Sequence, residues 1–436
     1  MKRFILILTG ALLAATTAHA VTWLRTYDGD KWLVGTCIQE TSDSNYIVTG
    51  VTGGDNWYLK IDTLGLVLWE REDGGGNWIE QTSDGGYILA GTPDLCKTDE
   101  WGDTLWTRDF NIYSHCALET SDDGYILAGT VKGPPELLTL IKTNSLGDSI
   151  WSQTYLAEDW DFGSGYFVRQ AEDNGYILTG MIVDTIFENG RAAFWLLKTD
   201  SLGNIQWSHI QGGENWGDSD QGLCAHETSD NSFIALANFG LLKFSQFGDS
   251  LWSRDYRNAN YVQETLDSGY VLTGDGDYVL ATVQSANKAV SAWLKKTNIN
   301  GDSLWEQTYG PGALLCVTQT HDKGFIMTGQ KDVALVILKT DSLGLLGVTE
   351  EPVIVADRGW EVGSHIGRRI AVFYEDLPQG LHAKVYNVAG QQVDEIYATG
   401  RSGFITWGIG HPPGVYFISA PNKHNQTITA KVVILH

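Results

Sequence analysis

The chain has 436 residues, of which 43% are hydrophobic, 11% aromatic and 19% charged, so it is too apolar to be intrinsically disordered and long enough to bury a large core. Its 53 acidic residues against 29 Lys and Arg give a formal charge of −24, which argues against binding nucleic acid or an anionic membrane through bulk charge. With 50 Gly, 17 Trp and 3 Met, the composition favours β-structure over helical bundles.

The N-terminus has the pattern of a secretory signal peptide. Lys2 and Arg3 precede an apolar run at 4–15, and residues 18–20 (Ala-His-Ala) form a small-x-small cleavage site. We therefore expect residues 1–20 to be removed and the mature chain to lie outside the cytoplasm. An uncleaved anchor helix is the alternative, which the short apolar run disfavours. No later stretch approaches the roughly 20 apolar residues that span a bilayer, so we expect no transmembrane helix in the mature chain.

A strand, a tight turn and a second strand then recur seven times along the chain. Each turn contains an Asp at the same place; these residues are Asp43, Asp84, Asp122, Asp173, Asp230, Asp267 and Asp322. Two positions later five units have Gly, one has Asn45 and one has Ser232. Because Gly and Asn accept positive φ, we expect a hairpin with positive φ at that position. The aromatic residue and aliphatic run that follow are typical of a strand.

A second hairpin follows each first one, and it has three recurring residues. Its Lys occurs at Lys60, Lys97, Lys142, Lys198, Lys243, Lys296 and Lys339. Its turn Gly occurs at Gly65, Gly102, Gly147, Gly203, Gly248, Gly301 and Gly344. Four residues after the Gly, six units have Trp, at Trp69, Trp106, Trp151, Trp207, Trp252 and Trp305. The seventh unit has Val348 instead, and Trp23–Tyr27 matches the missing strand, so we expect this N-terminal strand to complete the last unit.

Four short strands per unit, a period of roughly 46 residues and a displaced terminal strand predict an all-β fold, a seven-bladed β-propeller closed by an N-terminal strand. We assign residues 21–348 to it. An open β-solenoid is the alternative, against which the displaced strand argues. The stretches 83–88 (Ser-Asp-Gly-Gly-Tyr-Ile) and 198–207 (a Lys-Thr-Asp-x-x-Gly-x-x-x-Trp unit) resemble those of secreted bacterial propeller proteins, mostly of unknown function. That resemblance implies the fold and no particular activity.

The C-terminal part of the chain differs from the repeats in charge. Residues 351–436 contain seven acidic and seven basic residues, whereas 21–350 contain 46 acidic and 20 basic ones. Its apolar and polar residues alternate as in the strands of a β-sandwich. We therefore expect a linker at 349–360 and a separate small β-sandwich at 361–436.

This sandwich resembles the C-terminal sorting domain, type A, of type IX (Por) secretion cargo. The matching segments are 385–390 (Val-Tyr-Asn-Val-Ala-Gly), 414–418 (Gly-Val-Tyr-Phe-Ile) and 431–435 (Lys-Val-Val-Ile-Leu), while the Pro-Asn-Pro motif common in that family is absent. The resemblance implies that the outer-membrane secretion machinery binds residues 361–436 and carries the chain from the periplasm to the medium or the outer cell surface. An accessory sandwich that only packs against the propeller is the alternative.

Three residues before each turn Asp the chain has Glu or Gln, which makes a candidate ring for a cation or a polar ligand. These residues are Glu40, Gln81, Glu119, Gln170, Glu227, Glu264 and Gln319. An apolar residue two positions earlier shares the same face of the strand. We therefore favour a structural role, in which each Glu or Gln bonds its own turn or the neighbouring unit.

Cysteine and aromatic residues alternate at a second recurring position, six residues before the turn Asp. The cysteines are Cys37, Cys116, Cys224 and Cys316, and the aromatic residues are Trp78, Phe167 and Tyr261. This alternation predicts interlocking packing and free, buried thiols. The chain has no Cys-x-x-Cys pair, so no zinc motif is identified, and we expect neither a metal nor a cofactor.

The units differ chiefly in four long connections, at 154–165, 180–193, 208–223 and 274–291. Two of them combine Trp with carboxylates, and they supply the candidate ligand-binding residues Trp160, Asp161, Trp216, Asp218 and Asp220. An exposed indole beside carboxylates can stack on a sugar ring and accept its hydrogen bonds, or hold a cation. The alternative is that these loops continue the repeat pattern and pack locally.

The sequence contains no Gly-x-Ser-x-Gly, P-loop or His-Glu-x-x-His motif, so no catalytic residue is identified. Our leading hypothesis is a monomeric, non-catalytic secreted or cell-surface propeller that binds a glycan or a protein. A polysaccharide-active hydrolase or lyase is the first alternative, and it would need two carboxylates converging in one pocket. A surface scaffold without a small ligand is the second.

Overall fold

The structure is a computed structural model that describes part of the 436-residue chain. The described residues are 22–434, except 28–32, 54, 73, 186–190, 214–218, 276–290, 332–333, 347–358, 363–365, 368–369, 375–376, 402, 409 and 423–426. The predicted signal peptide therefore lies outside the described residues, as does most of the predicted linker at 349–360.

The described residues contain no helix and seven four-stranded antiparallel sheets, which we number in chain order. The first strand, β1 (Trp23–Tyr27), belongs to sheet 7. Sheet 1 is β2 (Leu33–Glu40), β3 (Tyr46–Thr52), β4 (Asp55–Ile61) and β5 (Val67–Arg71). Sheet 2 is β6 (Gly76–Gln81), β7 (Tyr87–Gly91), β8 (Leu95–Thr98) and β9 (Thr104–Arg108). Sheet 3 is β10 (Ile112–Glu119), β11 (Tyr125–Val131), β12 (Leu138–Thr143) and β13 (Ser149–Tyr155).

The remaining four sheets repeat the same order. Sheet 4 is β14 (Phe162–Gln170), β15 (Tyr176–Asp184), β16 (Arg191–Thr199) and β17 (Ile205–Gln211). Sheet 5 is β18 (Gly222–Glu227), β19 (Phe233–Ala237), β20 (Gly240–Phe244) and β21 (Ser250–Arg254). Sheet 6 is β22 (Ala259–Glu264), β23 (Tyr270–Asp275), β24 (Ser291–Thr297) and β25 (Ser303–Pro311). Sheet 7 is β26 (Ala313–Gln319), β27 (Phe325–Lys331), β28 (Ala334–Thr340) and β1.

Sheet 7 takes its outer strand from the N-terminal end of the chain, as the sequence predicts. Strand β1 pairs antiparallel with β28, with Trp23 opposite Lys339 and Tyr27 opposite Leu335. Repeated four-stranded antiparallel sheets of this kind are the building units of a β-propeller.

The hairpin between the first two strands of each sheet differs in one respect from the prediction. Positive φ occurs one residue after the Asp, as at Asp123 with φ of 61°, and not at the Gly that follows. Gly is needed at that position because neighbouring atoms leave no room for a side chain. A Cβ on Gly124 would lie 2.2 Å from the carbonyl oxygen of Thr143 and 2.4 Å from Lys142 Nζ. The prediction of positive φ at this Gly was therefore wrong, because the side chain is excluded by its neighbours and not by the backbone angle.

The first strands of the sheets meet in a common core. The rings of Trp78 and Phe167, from sheets 2 and 4, lie 5.3 Å apart, and Tyr261 from sheet 6 lies 6.2 Å from each of them. The cysteines occupy the same position in the other four sheets, and the structure has them free and buried. This confirms the packing predicted from the alternation of small and large residues.

Each recurring Trp packs against the turn Gly of the following sheet. A Cβ on Gly102 in sheet 2 would lie 2.7 Å from the ring of Trp69 in sheet 1. The same contact joins sheet 7 to sheet 1, where a Cβ on Gly65 would lie 2.9 Å from Trp23 Cη2 and the indole N–H of Trp23 donates to the carbonyl of Thr63 at 2.8 Å. The recurring tryptophans therefore pack between neighbouring sheets.

Each recurring Glu or Gln accepts a hydrogen bond from a turn N–H of the preceding sheet, which we call the Glu/Gln contact. The donor and acceptor residues are Ser42 and Gln81 (2.7 Å), Ser83 and Glu119 (2.6 Å), Ser121 and Gln170 (2.9 Å), Glu172 and Glu227 (2.7 Å), Ser229 and Glu264 (2.8 Å), Leu266 and Gln319 (2.8 Å), and His321 and Glu40 (2.8 Å). The last bond runs from sheet 7 to sheet 1. The structural interpretation of this Glu and Gln series is thus confirmed.

The C-terminal part consists of two further sheets with a separate core. One is formed by β29 (Trp360–Val362), β31 (Ile370–Tyr374) and β34 (Gly403–Trp407). The other has the order β30 (Ile366–Gly367), β36 (Thr427–Ile434), β35 (Gly414–Pro421), β32 (Leu381–Asn387) and β33 (Gln392–Ala398). Side chains from both sheets, among them Trp360, Val372, Val385 and Ile418, share one buried cluster, as in a sandwich.

The Glu/Gln contact predicts that the acceptor oxygen matters more than the charge. We expect Glu119→Ala to lower the free energy of unfolding by about 1 to 2 kcal/mol, because the Ser83 N–H and hydroxyl lose a charged acceptor that is partly exposed to water. Glu119→Gln keeps an acceptor, as Gln81 does in sheet 2, and we expect less than half of that loss. Urea unfolding of both variants measures this. Equal losses for Ala and Gln would contradict the role of the acceptor.

Candidate functional site

The antiparallel order gives each of the seven sheets two chemically different ends. The hairpins that carry the recurring Asp and the recurring Gly lie at one end, which we call the turn face. The connections between the second and third strands and those between consecutive sheets lie at the other end, which we call the loop face. The turn face repeats from sheet to sheet, whereas the loop face carries the connections that differ.

On the turn face, each recurring Lys forms an ion pair with the turn Asp of its own sheet. The N–O distances are 2.8 Å for Lys60–Asp43, 2.9 Å for Lys97–Asp84, 2.9 Å for Lys142–Asp122, 2.7 Å for Lys198–Asp173, 2.7 Å for Lys243–Asp230, 2.9 Å for Lys296–Asp267 and 2.8 Å for Lys339–Asp322. These Lys side chains are 2–10% exposed, and a buried ammonium requires such a partner. The pairing was not predicted, although the two residues recur together in every unit.

Three of the five predicted ligand-binding residues are described by the structure, and they lie on the loop face. Trp160 and Asp161 are in the connection between sheets 3 and 4, and Asp220 is in the connection between sheets 4 and 5. The two connections therefore flank the same sheet. Trp216 and Asp218, the other two predicted residues, lie outside the described residues.

Gly213 brings Trp160 and Asp220 together. A Cβ on Gly213 would lie 3.2 Å from Trp160 Cη2, and the Gly213 N–H donates to Asp220 Oδ2 at 3.3 Å. Both Gly212 and Gly213 have positive φ, of 88° and 67°. A Cβ on Gly212 would lie 2.0 Å from Asp220 Oδ2, so only glycine permits this approach.

Arg191 completes the arrangement. Its guanidinium carbon lies 5.0 Å from the centroid of the Trp160 ring, within the range of a cation–π interaction. Its Nε pairs with Asp184 at 3.1 Å, and its Nη1 donates to the carbonyl of Gly213 at 3.5 Å. We call Trp160, Asp184, Arg191, Gly213 and Asp220 the Trp160 cluster.

Asp161 is directed to a different contact. Its Oδ2 accepts hydrogen bonds from the backbone N–H of Thr185 at 2.8 Å and from the Thr185 hydroxyl at 2.7 Å. These two bonds lower the pKa of Asp161. Asp161 therefore fixes the connection after β15, and the structure does not bring it into the Trp160 cluster.

Sequence reasoning missed Arg191 and Asp184. The available signal was their position, because both belong to the long connection at 180–193 that departs from the repeat. The half-buried indole of Trp160 with a guanidinium and carboxylates around it is suited to a polyhydroxylated ligand, which needs an aromatic surface together with hydrogen-bond donors and acceptors. Among the described residues, no group of three or more His, Cys, Asp or Glu could hold a metal ion.

A second polar group lies within the core of first strands. Arg169 pairs with Glu80 at 3.2 Å and stacks on the rings of Trp78 and Phe167, 4.6 and 4.8 Å from their centroids. Burial lowers the pKa of His226 to about 3, so this imidazole is neutral at physiological pH. The stacked guanidinium contacts both aromatic rings and is neutralised by Glu80.

Neither a family model nor a curated protein matches this sequence. Among solved structures, the chain is similar to PorZ, a surface component of the type-IX secretion system of Porphyromonas gingivalis, with 9% identity over 91% of this chain and 58% of that chain and a TM-score of 0.45. It is also similar to the extracellular domain of a putative one-component system of B. thetaiotaomicron (9% identity, 96% of this chain, 59% of that chain, TM-score 0.46).

A third similar structure is the WD40 domain of Neurospora crassa Pan2, with 10% identity over 70% of this chain and 89% of that chain and a TM-score of 0.48. This chain spans less than two thirds of the length of the first two structures. At these values nothing about the activity of this chain follows from the similarities. Within the described residues, no helix has the length and apolar character needed to cross a membrane.

The turn-face ion pairs predict how stability depends on acid. Burial acts to raise the pKa of Asp267, but hydrogen bonds from Thr265 and Lys296 outweigh it and lower this pKa to about 2. The unfolded value is near 3.9, so the pair stabilises the folded state above about pH 4, and this contribution is lost as the pH falls towards 2. At pH 6 we expect Asp267→Asn to unfold at a lower temperature than the original chain. On acidification we expect its unfolding temperature to fall by less than that of the original chain.

Thermal unfolding at pH 6, 4, 3 and 2 measures this difference. The matched control is Glu100→Gln, because Glu100 is an exposed carboxylate in the turn of sheet 2 that carries the recurring Gly. This variant should follow the pH profile of the original chain. A profile for Asp267→Asn with the original slope would contradict the assignment.

Proposed function

We propose that this chain is a secreted or cell-surface, non-catalytic seven-bladed propeller that binds a glycan on its loop face. Closure of the seven sheets is supported by contacts between sheet 7 and sheet 1. The His321 N–H donates to Glu40 at 2.8 Å, and the Thr318 hydroxyl donates to the carbonyl of Ile38 at 2.9 Å. The first of these bonds repeats the Glu/Gln contact that joins the other neighbouring sheets, so sheet 1 follows sheet 7 as sheet 2 follows sheet 1.

The observation that carries the proposal is the Trp160 cluster. On the turn face the recurring Lys and Asp residues are paired with each other, so these charges are already used within the fold. The loop face instead holds an indole that is only partly buried, beside Arg191 and the carboxylate of Asp220. Stacking of a sugar on the indole and hydrogen bonds from its hydroxyls to the carboxylate are the interactions this group can supply.

Export is the second part of the proposal. We propose that residues 361–436 form the sorting domain that the outer-membrane secretion machinery recognises, after residues 1–20 have directed the chain to the periplasm. The separate core of the two C-terminal sheets supports this, because a sorting signal must keep its fold independently of the cargo. The neutral charge of this part, next to strongly acidic repeats, fits a distinct role.

Glycan binding predicts a requirement for Trp160. We expect the full chain to bind at least one polysaccharide of an immobilised array, and Trp160→Ala to weaken this binding at least tenfold, because it removes the stacking surface. Trp101→Ala is the matched control, since Trp101 is a 48% exposed tryptophan on the turn face, and it should bind as the original chain does.

The same array separates the other possibilities. Binding to none of the polysaccharides would contradict glycan recognition and favour the alternative that the chain binds a protein. Equal losses of binding in Trp160→Ala and Trp101→Ala would contradict binding at the loop face. Release of new reducing ends from a bound polysaccharide would contradict the non-catalytic assignment and indicate a hydrolase.

The sorting proposal predicts retention of a truncated chain. In a host with the type IX route, we expect a chain lacking residues 351–436 to accumulate in the periplasm, because the recognised domain is absent. Cell fractionation with immunoblotting locates both chains, and binding of the truncated chain to the polysaccharide identified above controls for folding. Delivery of the truncated chain to the surface or medium at the original level would contradict the sorting role.

A further inference from the structure

The first strand of each sheet contributes either a cysteine or an aromatic residue to the common core, and this alternation fails at one point. Cysteine and aromatic residue alternate from sheet 1 to sheet 7, so each of the three rings lies between two cysteines. Because seven is an odd number, a ring of seven sheets must bring two cysteines next to each other. These are Cys316 in sheet 7 and Cys37 in sheet 1.

Each of the four cysteines makes the same contact with the sheet that follows its own. Its sulfur lies beside the backbone carbonyl of the residue directly after the equivalent position in that sheet. The Sγ–O distances are 3.5 Å for Cys37 and Ile79, 3.5 Å for Cys116 and Val168, 3.9 Å for Cys224 and Val262, and 3.7 Å for Cys316 and Ile38. The residue at the equivalent position is aromatic in three of these junctions. In the fourth it is Cys37, so a thiol stands where the other junctions have a ring.

The two thiols at this junction interact with each other. The Ile38 N–H donates to Cys316 Sγ at 3.5 Å, which holds that sulfur against the strand that carries Cys37. Burial acts to raise the pKa of Cys316, but hydrogen bonding from the Cys37 thiol and from the Ile38 N–H outweighs it and lowers this pKa. Cys37 and Cys316 are 0% and 1% exposed, so both lie in the core. Two thiols on neighbouring strands with their sulfurs near each other meet the first requirement of a disulfide.

We infer that Cys37 and Cys316 form a disulfide under oxidising conditions, which joins the first and the last sheet covalently. The inference goes beyond glycan binding, and it rests on the proposed closure of the seven sheets and on the proposed export, because disulfides form and persist outside the cytoplasm. Nearly the whole repeat region lies between the two cysteines, and a disulfide that closes a longer loop removes more conformational freedom from the unfolded chain. The crosslink therefore reinforces the junction at which the ring closes.

The reaction is a thiol–disulfide exchange with an oxidising disulfide, for which oxidised glutathione is the probe. One cysteine thiolate attacks the oxidant, which releases one molecule of thiol and leaves a mixed disulfide. The second cysteine attacks the mixed disulfide and releases the second thiol, so the two released thiols carry the two electrons and two protons that the cysteines lose. Because both cysteines are buried once sheet 7 has joined sheet 1, we place this exchange before that docking, while the chain is still folding.

The experiment refolds the full chain from its reduced and denatured form, once with a mixture of oxidised and reduced glutathione and once with reductant alone. Thiol titration in denaturant should find three free thiols among the five cysteines after oxidative refolding, and five after reductive refolding. Mass spectrometry of peptides prepared without reduction should identify Cys37 linked to Cys316. We expect the crosslink to raise the unfolding temperature by about 5 °C.

Two variants separate this pair from the other cysteines. Cys316→Ser should keep all of its remaining cysteines free, and its unfolding temperature should be the same after both refolding conditions. The matched control is Cys224→Ser, because Cys224 is a buried cysteine with the same contact to the following sheet but with Tyr261 as its neighbour there. This control should retain the crosslink and the difference between the two conditions. Each variant is compared with itself, so a loss of stability caused by the substitution does not affect the result.

Three results would overturn the inference. These are five free thiols after oxidative refolding, a crosslink that includes another cysteine, or a Cys37–Cys316 crosslink that leaves the unfolding temperature unchanged. All three are measured on the unsubstituted chain, so they hold even if a variant does not fold.

Failure of the crosslink is distinguishable from failure of the proposed function. Closure is tested without the cysteines by Glu40→Ala, which should lower the unfolding temperature of the reduced chain as Glu119→Ala does. Glycan binding is tested by the polysaccharide array and Trp160→Ala. A chain that passes both of these tests and still has five free thiols after oxidative refolding retains the proposed function and loses the crosslink.

Discussion

The structure depends on one recurring interaction, the hydrogen bond from a turn N–H of each sheet to a Glu or Gln of the next. A four-stranded sheet of this size cannot bury both of its faces alone, so its stability comes from its neighbours. The bond joins each sheet to the next at the end of its first strand. An acceptor oxygen is all that it requires, which explains why Glu and Gln replace one another. The bond from His321 to Glu40 applies the same constraint to the two ends of the repeat.

This interaction divides the molecule into a face that is fixed and a face that can vary. On the turn face the Glu/Gln contacts and the Lys–Asp pairs use the same turns, so a change in one turn disturbs its own sheet and the next. The connections of the loop face carry neither contact. They can lengthen, as at 212–221, without weakening the repeat. Binding sites are therefore expected where the repeat has no structural demand.

The features that could be predicted from the sequence are those that recur in all seven units. Seven copies allowed the hairpins, the strand exchange of Trp23–Tyr27 and the packing of the cysteines among the aromatic rings to be predicted, because an irregularity in one copy is outweighed by the other six. The conformation at Gly124 was misjudged, since its role depends on the distance to Lys142 and not on a local preference. The pairing of each Lys with its Asp could have been predicted from their joint recurrence. Contacts that occur once, such as Arg191 with Trp160, have no such signal.

Charge links the fold to the kind of ligand proposed. The repeat region has 46 acidic and 20 basic residues, and the seven buried lysines are already paired with turn Asp, so the excess negative charge belongs to the surface. At physiological ionic strength this field extends about 8 Å from the surface, far enough to oppose an anionic polysaccharide before contact. A neutral sugar meets no such barrier. The pairing of Arg191 with Asp184 beside Trp160 is therefore consistent with a neutral ligand.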